Sequence, residues 1–276
     1  MLSKNQKTTV ADYIVDFLYN LGVRNIFMLS GTGSVQLDDA FARKQGMKYI
    51  CARHEATSVV MAEAVAKLKN NIGVSVVTTG PGGTNAIPGV IEAWVDSTPV
   101  LVISGQVSSD TYIDDRAFGI QGFNIIDNVK NFTKYSALID NPNTIKYHLE
   151  RAIYESFSGR PGPVWIDIPM DLQAKEICLD DLEGFVPPDD TQEEGIDLYE
   201  FIDLLTASER PLVAFGRGVK LSETQNNLTK LIKKYNIPSI SARMANDVLP
   251  FNDTHYYGMG GIRGRRSAVK VMKECD

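Results

Sequence analysis

The feature that most constrains this chain is its repeated alternation of short, almost wholly apolar runs with helix-patterned segments. "IGVSVVTT", then "TNAIPGVIEAWV", then "PVLVISGQ" is the clearest instance, over residues 72–106. Runs such as "NIFML", "KYICA" and "GPVWIDIP" repeat the pattern. A strand apolar along its whole length has both faces covered, and a helix between consecutive strands makes a parallel crossover. The alternation therefore predicts an α/β fold with a doubly wound parallel sheet. The helices read from their own signals. Residues 10–22 carry a stripe of Val10, Ile14, Phe17, Leu18 and Leu21, with Thr9 as N-cap and Gly22 as stop. Further helices are expected over 34–45, 55–69, 84–95 and 142–158.

Residues 181–195, "DLEGFVPPDDTQEEG", are acidic, Pro-containing and without apolar periodicity, as expected of a linker. Helix and strand signals then resume in "LYEFIDLLTAS", "RPLVAFGRGV", "TQNNLTKLIKKYN" and "IPSISA", and the chain stops in the helix-like "SAVKVMKECD". The expected division is residues 1–178 as one domain, 179–195 as linker, and 196–276 as the first part of a second, truncated α/β domain. The 276 residues are 43% hydrophobic and 22% charged, with net charge −6 and scattered Lys and Arg. No basic face for nucleic acid is visible. No apolar run reaches the roughly 18 residues of a membrane span. The N-terminus has no signal-peptide core, and Cys51, Cys178 and Cys275 form no CxxC pair. The expected setting is a reducing cytoplasm, without a zinc site or disulfide framework.

Ligands of an open parallel sheet bind beyond the carboxyl ends of its strands. Four turns fall there: Ser30–Gly33, Arg53–Glu55, Thr79–Asn85 and Ser104–Gln106. The first is a poor dinucleotide fingerprint, since "GTGSVQ" has Gln36 where a third glycine belongs. Glu55 opens a helix, where a carboxylate is favoured by the helix dipole alone. But the helix behind it, "ATSVVMAEAVAKL", is small and apolar enough to be buried. An unpaired carboxylate at its start would be costly, so a buried partner or a ligand must satisfy it. Arg53 and His54 are candidate partners or simple rim charges.

Taken together these segments resemble the thiamine-diphosphate enzymes of the acetolactate (acetohydroxyacid) synthase and pyruvate decarboxylase group. "LGVRNIFMLSGTGSVQLDDAF", "CARHEATSVVMAEAVAKL", "VVTTGPGGTNAIPGVIEAWVDSTPVLVISGQV" and "SGRPGPVWIDIPMDLQ" look like that family's pyrimidine-binding domain. "RPLVAFGRGV" and "YYGMGGIRG" look like its central domain. The resemblance spans essentially the whole chain. It implies a catalytic glutamate at Glu55, which would hydrogen-bond the aminopyrimidine and favour its imino tautomer, and an active-site glutamine at Gln121. It implies cofactor contacts from Ser30, Gly31, Thr32, Glu55, Thr79, Pro81, Gly82 and Asn85. It also implies a flavin (FAD) site at Gly216, Gly258, Met259, Gly261 and Arg263.

Several residues depart from the family's pattern. Ile120 and Gly122 flank Gln121 where Phe and Glu are usual, Ser30 and Thr32 stand in a Pro-Gly-Gly turn, and Arg263 replaces a histidine beside the flavin. These departures bear on the flavin and on the substrate. The Gly-Asp-Gly motif that holds diphosphate and magnesium in the family's C-terminal domain is absent from these residues. The expectation is an N-terminal fragment, nearly inert alone, of a homodimer or homotetramer. The leading activity is decarboxylation of pyruvate and transfer of the two-carbon unit to a 2-keto acid, in branched-chain amino acid biosynthesis. The alternatives are a keto-sugar nucleotide carboligase, a 2-keto acid decarboxylase, or a non-catalytic binding or regulatory module.

Overall fold

Capping chemistry sets the first elements. Strand β1 (Lys7–Thr9) passes directly into α1 (Val10–Asn20), and the Thr9 hydroxyl accepts the Asp12 N–H at 3.1 Å. The helix ends as expected at Gly22, which takes the left-handed φ of +86°. In this computed structural model residues 6–111, 119–189 and 197–276 are described. Residues 112–118, and residues 190–195 of the expected linker, lie outside the described residues.

The chain divides into two compact units, Met1–Asp189 and Asp190–Asp276. The first continues with β2 (Asn25–Met28), α2 (Val35–Arg43), β3 (Lys48–Cys51), α3 (Glu55–Lys69), β4 (Gly73–Val77), α4 (Pro81–Val95) and β5 (Val100–Gln106). There follow α5 (Ile125–Val129), β6 (Tyr135–Leu138), α6 (Ile145–Phe157), β7 (Val164–Pro169), α7 (Met170–Gln173) and β8 (Glu176–Cys178). Six strands form one parallel sheet in the order β3-β2-β4-β5-β7-β6. β1 and β8 add a small antiparallel pair. The chain stays with this unit beyond β8, where the Phe185 ring packs against Tyr147 and its N–H donates to Glu150.

Alternation along each strand sorts the side chains into two cores. Ile26 and Met28, Leu101 and Ile103, and Val164 and Ile166 join α1, α2 and α6 on one face. Phe27, Val100, Val102 and Trp165 join α3, α4 and α5 on the other. α3 lies close on both the sheet and α4. A Cβ on Gly89 would come within 2.8 Å of the Val59 Cβ and 2.9 Å of the Ala56 carbonyl, so only glycine allows this approach. The buried hydroxyls of Ser58 and Ser75 pair at 2.7 Å and fasten α3 to β4.

One boundary differs from expectation. α4 begins at Pro81, inside the stretch read as a side-chain-poor turn. Proline suits a first helical position, where no N–H is needed. Gly80 turns the chain into it with φ +55°. Gly82 and Gly83 are helical, and close neighbours fill the space of their missing Cβ atoms: Thr78 for the first, Ile125 for the second.

The second unit contains α8 (Leu198–Ala207), β9 (Val213–Phe215), α9 (Gly218–Leu221), α10 (Gln225–Tyr235), β10 (Ser239–Ser241), β11 (Tyr256–Met259) and α11 (Arg266–Glu274). Its three strands are parallel in the order β11-β10-β9. Two were expected. The third, "YYGM", carries a left-handed Gly258 and no apolar alternation. Phe215, Ile232, Ala245, Leu249 and Tyr256 form its core.

Candidate active site

The chain runs from β2 outward to β3 and then returns to β4 on the other side of β2. The reversal opens a crevice at the carboxyl ends of β2 and β4. The turns there are in contact. The Gly33 N–H donates to the Thr78 hydroxyl at 3.1 Å. A Cβ on Gly31 would lie 2.5 Å from the Thr78 side chain, and one on Gly33 would lie 2.1 Å from Thr79. Thr78 in turn fills the space beside Gly82. Below this turn lies Asp38, which accepts from the Ser34 hydroxyl at 3.1 Å and the Gly31 N–H at 3.4 Å. Burial pushes its carboxyl up to about 6 against those two hydrogen bonds.

Glu55 enters the crevice from the end of β3. His54 caps the helix, its Nδ1 accepting the Ala56 N–H at 3.2 Å, so the capping role is not left to Glu55. Arg53 is exposed. Glu55 itself is only 6% exposed. Its partner is neutral: Asn85, one turn into α4, donates to Oε2 at 3.1 Å. Oε1 lies beside Gly82, 3.8 Å from where a Cβ would stand. Among the described residues only Asn85 hydrogen-bonds this carboxylate. A buried carboxylate with one oxygen held and the other beside bare helix backbone can accept an N–H from a flat ring lying on the glycines.

The other expected site residues of this unit gather around the same point. Ser30, Gly31 and Thr32 follow β2, and Thr79 is 8% exposed at the end of β4. Pro81 and Asn85 lie on the exposed side of the first turns of α4. Gln121 ends a single 3₁₀ turn whose backbone packs on Gly80. A Cβ there would meet the Ile120 carbonyl at 2.3 Å and the Gln121 Cα at 2.8 Å. Sequence reasoning singled out the Ser104–Gln106 turn but missed Thr78 and the buried partners of that turn, Trp165 and Asp167. An acid inside the apolar run "VWIDIP" is the signal that could have found the latter. Burial pushes the Asp167 carboxyl up to about 7 against the hydrogen bonds that Ser104 and Gln106 donate to it.

In the second unit, Gly216 follows β9, while Gly258 and Met259 end β11, flanking Ser241 of β10 in the sheet register. Gly258 and Gly261 take left-handed φ values of +100° and +95°. Arg263 is exposed. Among the described residues no cluster of three or more His, Cys, Asp or Glu side chains is placed to hold a metal ion, and no helix is long and apolar enough to cross a membrane.

Comparison with known proteins assigns both units. Residues 8–130 match the thiamine pyrophosphate enzyme, N-terminal TPP binding domain, and residues 198–276 match the central domain of the same enzymes. The chain is 33% identical to the acetolactate synthase large subunit of Lactococcus lactis over 275 residues, which is 98% of this chain and 47% of that protein. It is 30% identical to the Haemophilus influenzae acetolactate synthase large subunit, covering 98% of this chain and 48% of the relative. It is also 30% identical to the acetolactate synthase isozyme 3 large subunit of Escherichia coli, over 96% of this chain and 47% of the relative. The chain thus spans about half the length of the curated relatives it matches. With both domain types matched in order, on an α/β fold whose crevice holds a buried glutamate, the chain belongs to the thiamine pyrophosphate enzyme family.

Proposed function

We propose that the whole protein carrying these two domains is an acetolactate synthase-like carboligase. It decarboxylates pyruvate and joins the two-carbon unit to a second 2-keto acid, in branched-chain amino acid biosynthesis. The observation that carries this reading is the Glu55 carboxylate, buried, held at Oε2 by Asn85 and facing Gly82 with Oε1. Bound thiamine diphosphate supplies a nucleophilic thiazolium carbon that also serves as an electron sink. Glu55 would accept a hydrogen bond from an aminopyrimidine ring nitrogen and hold the proton there, which would favour the imino tautomer. Asn85 keeps the carboxylate aimed. Gly82, with Thr79 and Pro81 beside it, admits the flat ring to the backbone. Ser30, Gly31 and Thr32 would form the facing wall, and Gln121 would supply a neutral donor for the keto group of the substrate.

Magnesium would accompany the diphosphate; among the described residues no cluster of three or more His, Cys, Asp or Glu side chains is placed to hold it. For the second unit we favour a flavin at the carboxyl edge of its sheet. Gly216, Gly258, Met259, Gly261 and Arg263 lie there, and Arg217, Arg243, Arg265 and Arg266 follow the same three strands, a charge suited to a dinucleotide's phosphates. The absorbance spectrum of the purified protein tests that site. Two copies pair across the α3/α4 face, supported by Leu68, Ile91 and Val95, which are 83%, 41% and 64% exposed. A cytoplasmic setting is supported by three free cysteines.

The test is product analysis of the whole protein given pyruvate, thiamine diphosphate and magnesium. Acetolactate is expected as the main product. Acetaldehyde alone would make the protein a decarboxylase, and no consumption of pyruvate would contradict the reading.

A further inference from the structure

A chain of buried polar groups runs from the sheet interior to the turn that carries Gln121. Trp165 Nε1 donates to Ser104 Oγ at 2.7 Å, and Ser104 donates to Asp167 Oδ1 at 2.5 Å. Gln106 Nε2 donates to Asp167 Oδ2 at 3.0 Å and to the Phe123 carbonyl at 3.2 Å. All four side chains are 1% exposed or less. They come together because residues 104 and 106 of β5 and residues 165 and 167 of β7 point to the same face, with Ser104 paired to Asp167 in the register.

With Asp167 ionised, the direction of every bond is fixed. An indole nitrogen only donates, so Ser104 must accept from Trp165 and direct its own hydrogen to Asp167. Gln106 Oε1 accepts the Val107 N–H at 2.9 Å, which sets the amide the other way round, with both Nε2 hydrogens toward Asp167 and Phe123. A fully buried acid held by neutral donors is an expensive way to fill a strand position that valine would fill. What the acid supplies is aim: it holds the Gln106 amide so that the second hydrogen meets Phe123. Phe123 is two residues from Gln121, and the backbone of Ile120 and Gln121 is seated on Gly80. The turn is thus pinned at one end by Gln106 and braced at the other by the start of α4.

We propose that Gln106, aimed by Asp167, is a positioning residue that sets where Gln121 stands over the Glu55 crevice. Its consequence for turnover rests on the role given above to Gln121. The test is hydrogen exchange of the full chain, comparing wild type with Gln106→Met and Gln106→Asn. Methionine keeps the volume and loses the donor. Asparagine keeps an amide but is one methylene too short to bond Asp167 and Phe123 together, and it serves if the methionine variant does not fold. Amides of residues 119–124 are expected to exchange at least about tenfold faster, while those of α3 and β4 keep their protection. In the whole protein, kcat on pyruvate should fall about tenfold with the half-saturating thiamine diphosphate concentration unchanged. Unchanged exchange at 119–124 in a folded variant would overturn the proposal, as would protection lost equally across the unit. If wild type does not consume pyruvate, the functional reading fails and the exchange result still decides the tether.

Discussion

Asp167 makes a prediction about stability that can be worked from its surroundings. It is 1% exposed, its hydrogen bonds come from Ser104 and Gln106, and burial pushes its carboxyl from 3.8 up to about 7. The folded chain therefore holds this proton more tightly than the unfolded chain. Stability from this group is full below pH about 4 and is lost as pH rises through about 7. A gap of roughly three pKa units corresponds to about 4 kcal/mol in total, of which about 2–3 kcal/mol falls between pH 5 and 8. Asp38, raised to about 6, acts in the same direction. His148, lowered by burial, acts in the opposite direction, because its unfolded form takes up the proton first as pH falls. Both are shared by wild type and Asp167→Asn, so the difference between the two isolates Asp167. Asparagine turns an N–H₂ toward one of the two donors, a pH-independent loss of about 1–3 kcal/mol. Both tryptophans, Trp94 and Trp165, lie in the first unit, so urea unfolding followed by their fluorescence reports on that unit alone. The variant is expected to be the weaker at pH 5 and to gain about 2–3 kcal/mol on wild type by pH 8. A gap that stays constant over that range would refute the reasoning.

Gly89→Val should lower the unfolding midpoint by an amount equivalent to about 1–3 kcal/mol, because its Cβ would overlap Val59 and the Ala56 carbonyl. Fluorescence-detected urea titration checks this, and a neutral result would mean that α4 can move off α3. Sedimentation equilibrium at micromolar concentration should give a dimer for wild type and a monomer for Ile91→Lys. A wild-type monomer would remove the α3/α4 face as the pairing surface.

Local signals carried much of the fold. Thr9 caps α1, α3 starts at Glu55, and the two-sided burial of "VSVV" and "VLVISGQ" follows from runs that are almost wholly apolar. What escaped was non-local or depended on contact. β1 and β8 are three residues each and pair across most of the first unit, with no pattern of their own. Pro81-Gly82-Gly83 reads as a turn by propensity, whereas in the fold it is the first turn of α4, with Thr78 and Ile125 packed against the two glycines. The site divides in the same way. Glu55 was conspicuous as an acid at the start of an apolar helix, but the identity of its partner, Asn85, depends on how α3 and α4 pack. Asp167 and Gln106 sit on separate strands and become a unit only through the sheet register.

The central claim is that Glu55 is a catalytic carboxylate, and turnover of Glu55→Gln in the whole protein tests it most directly. Glutamine keeps the shape and leaves a carbonyl oxygen for Asn85, but it cannot hold the proton. With thiamine diphosphate and magnesium saturating, kcat on pyruvate is expected to fall by about 10²–10⁴. The fluorescence-detected unfolding midpoint should stay close to that of wild type. Turnover equal to wild type in a folded Glu55→Gln would contradict the account.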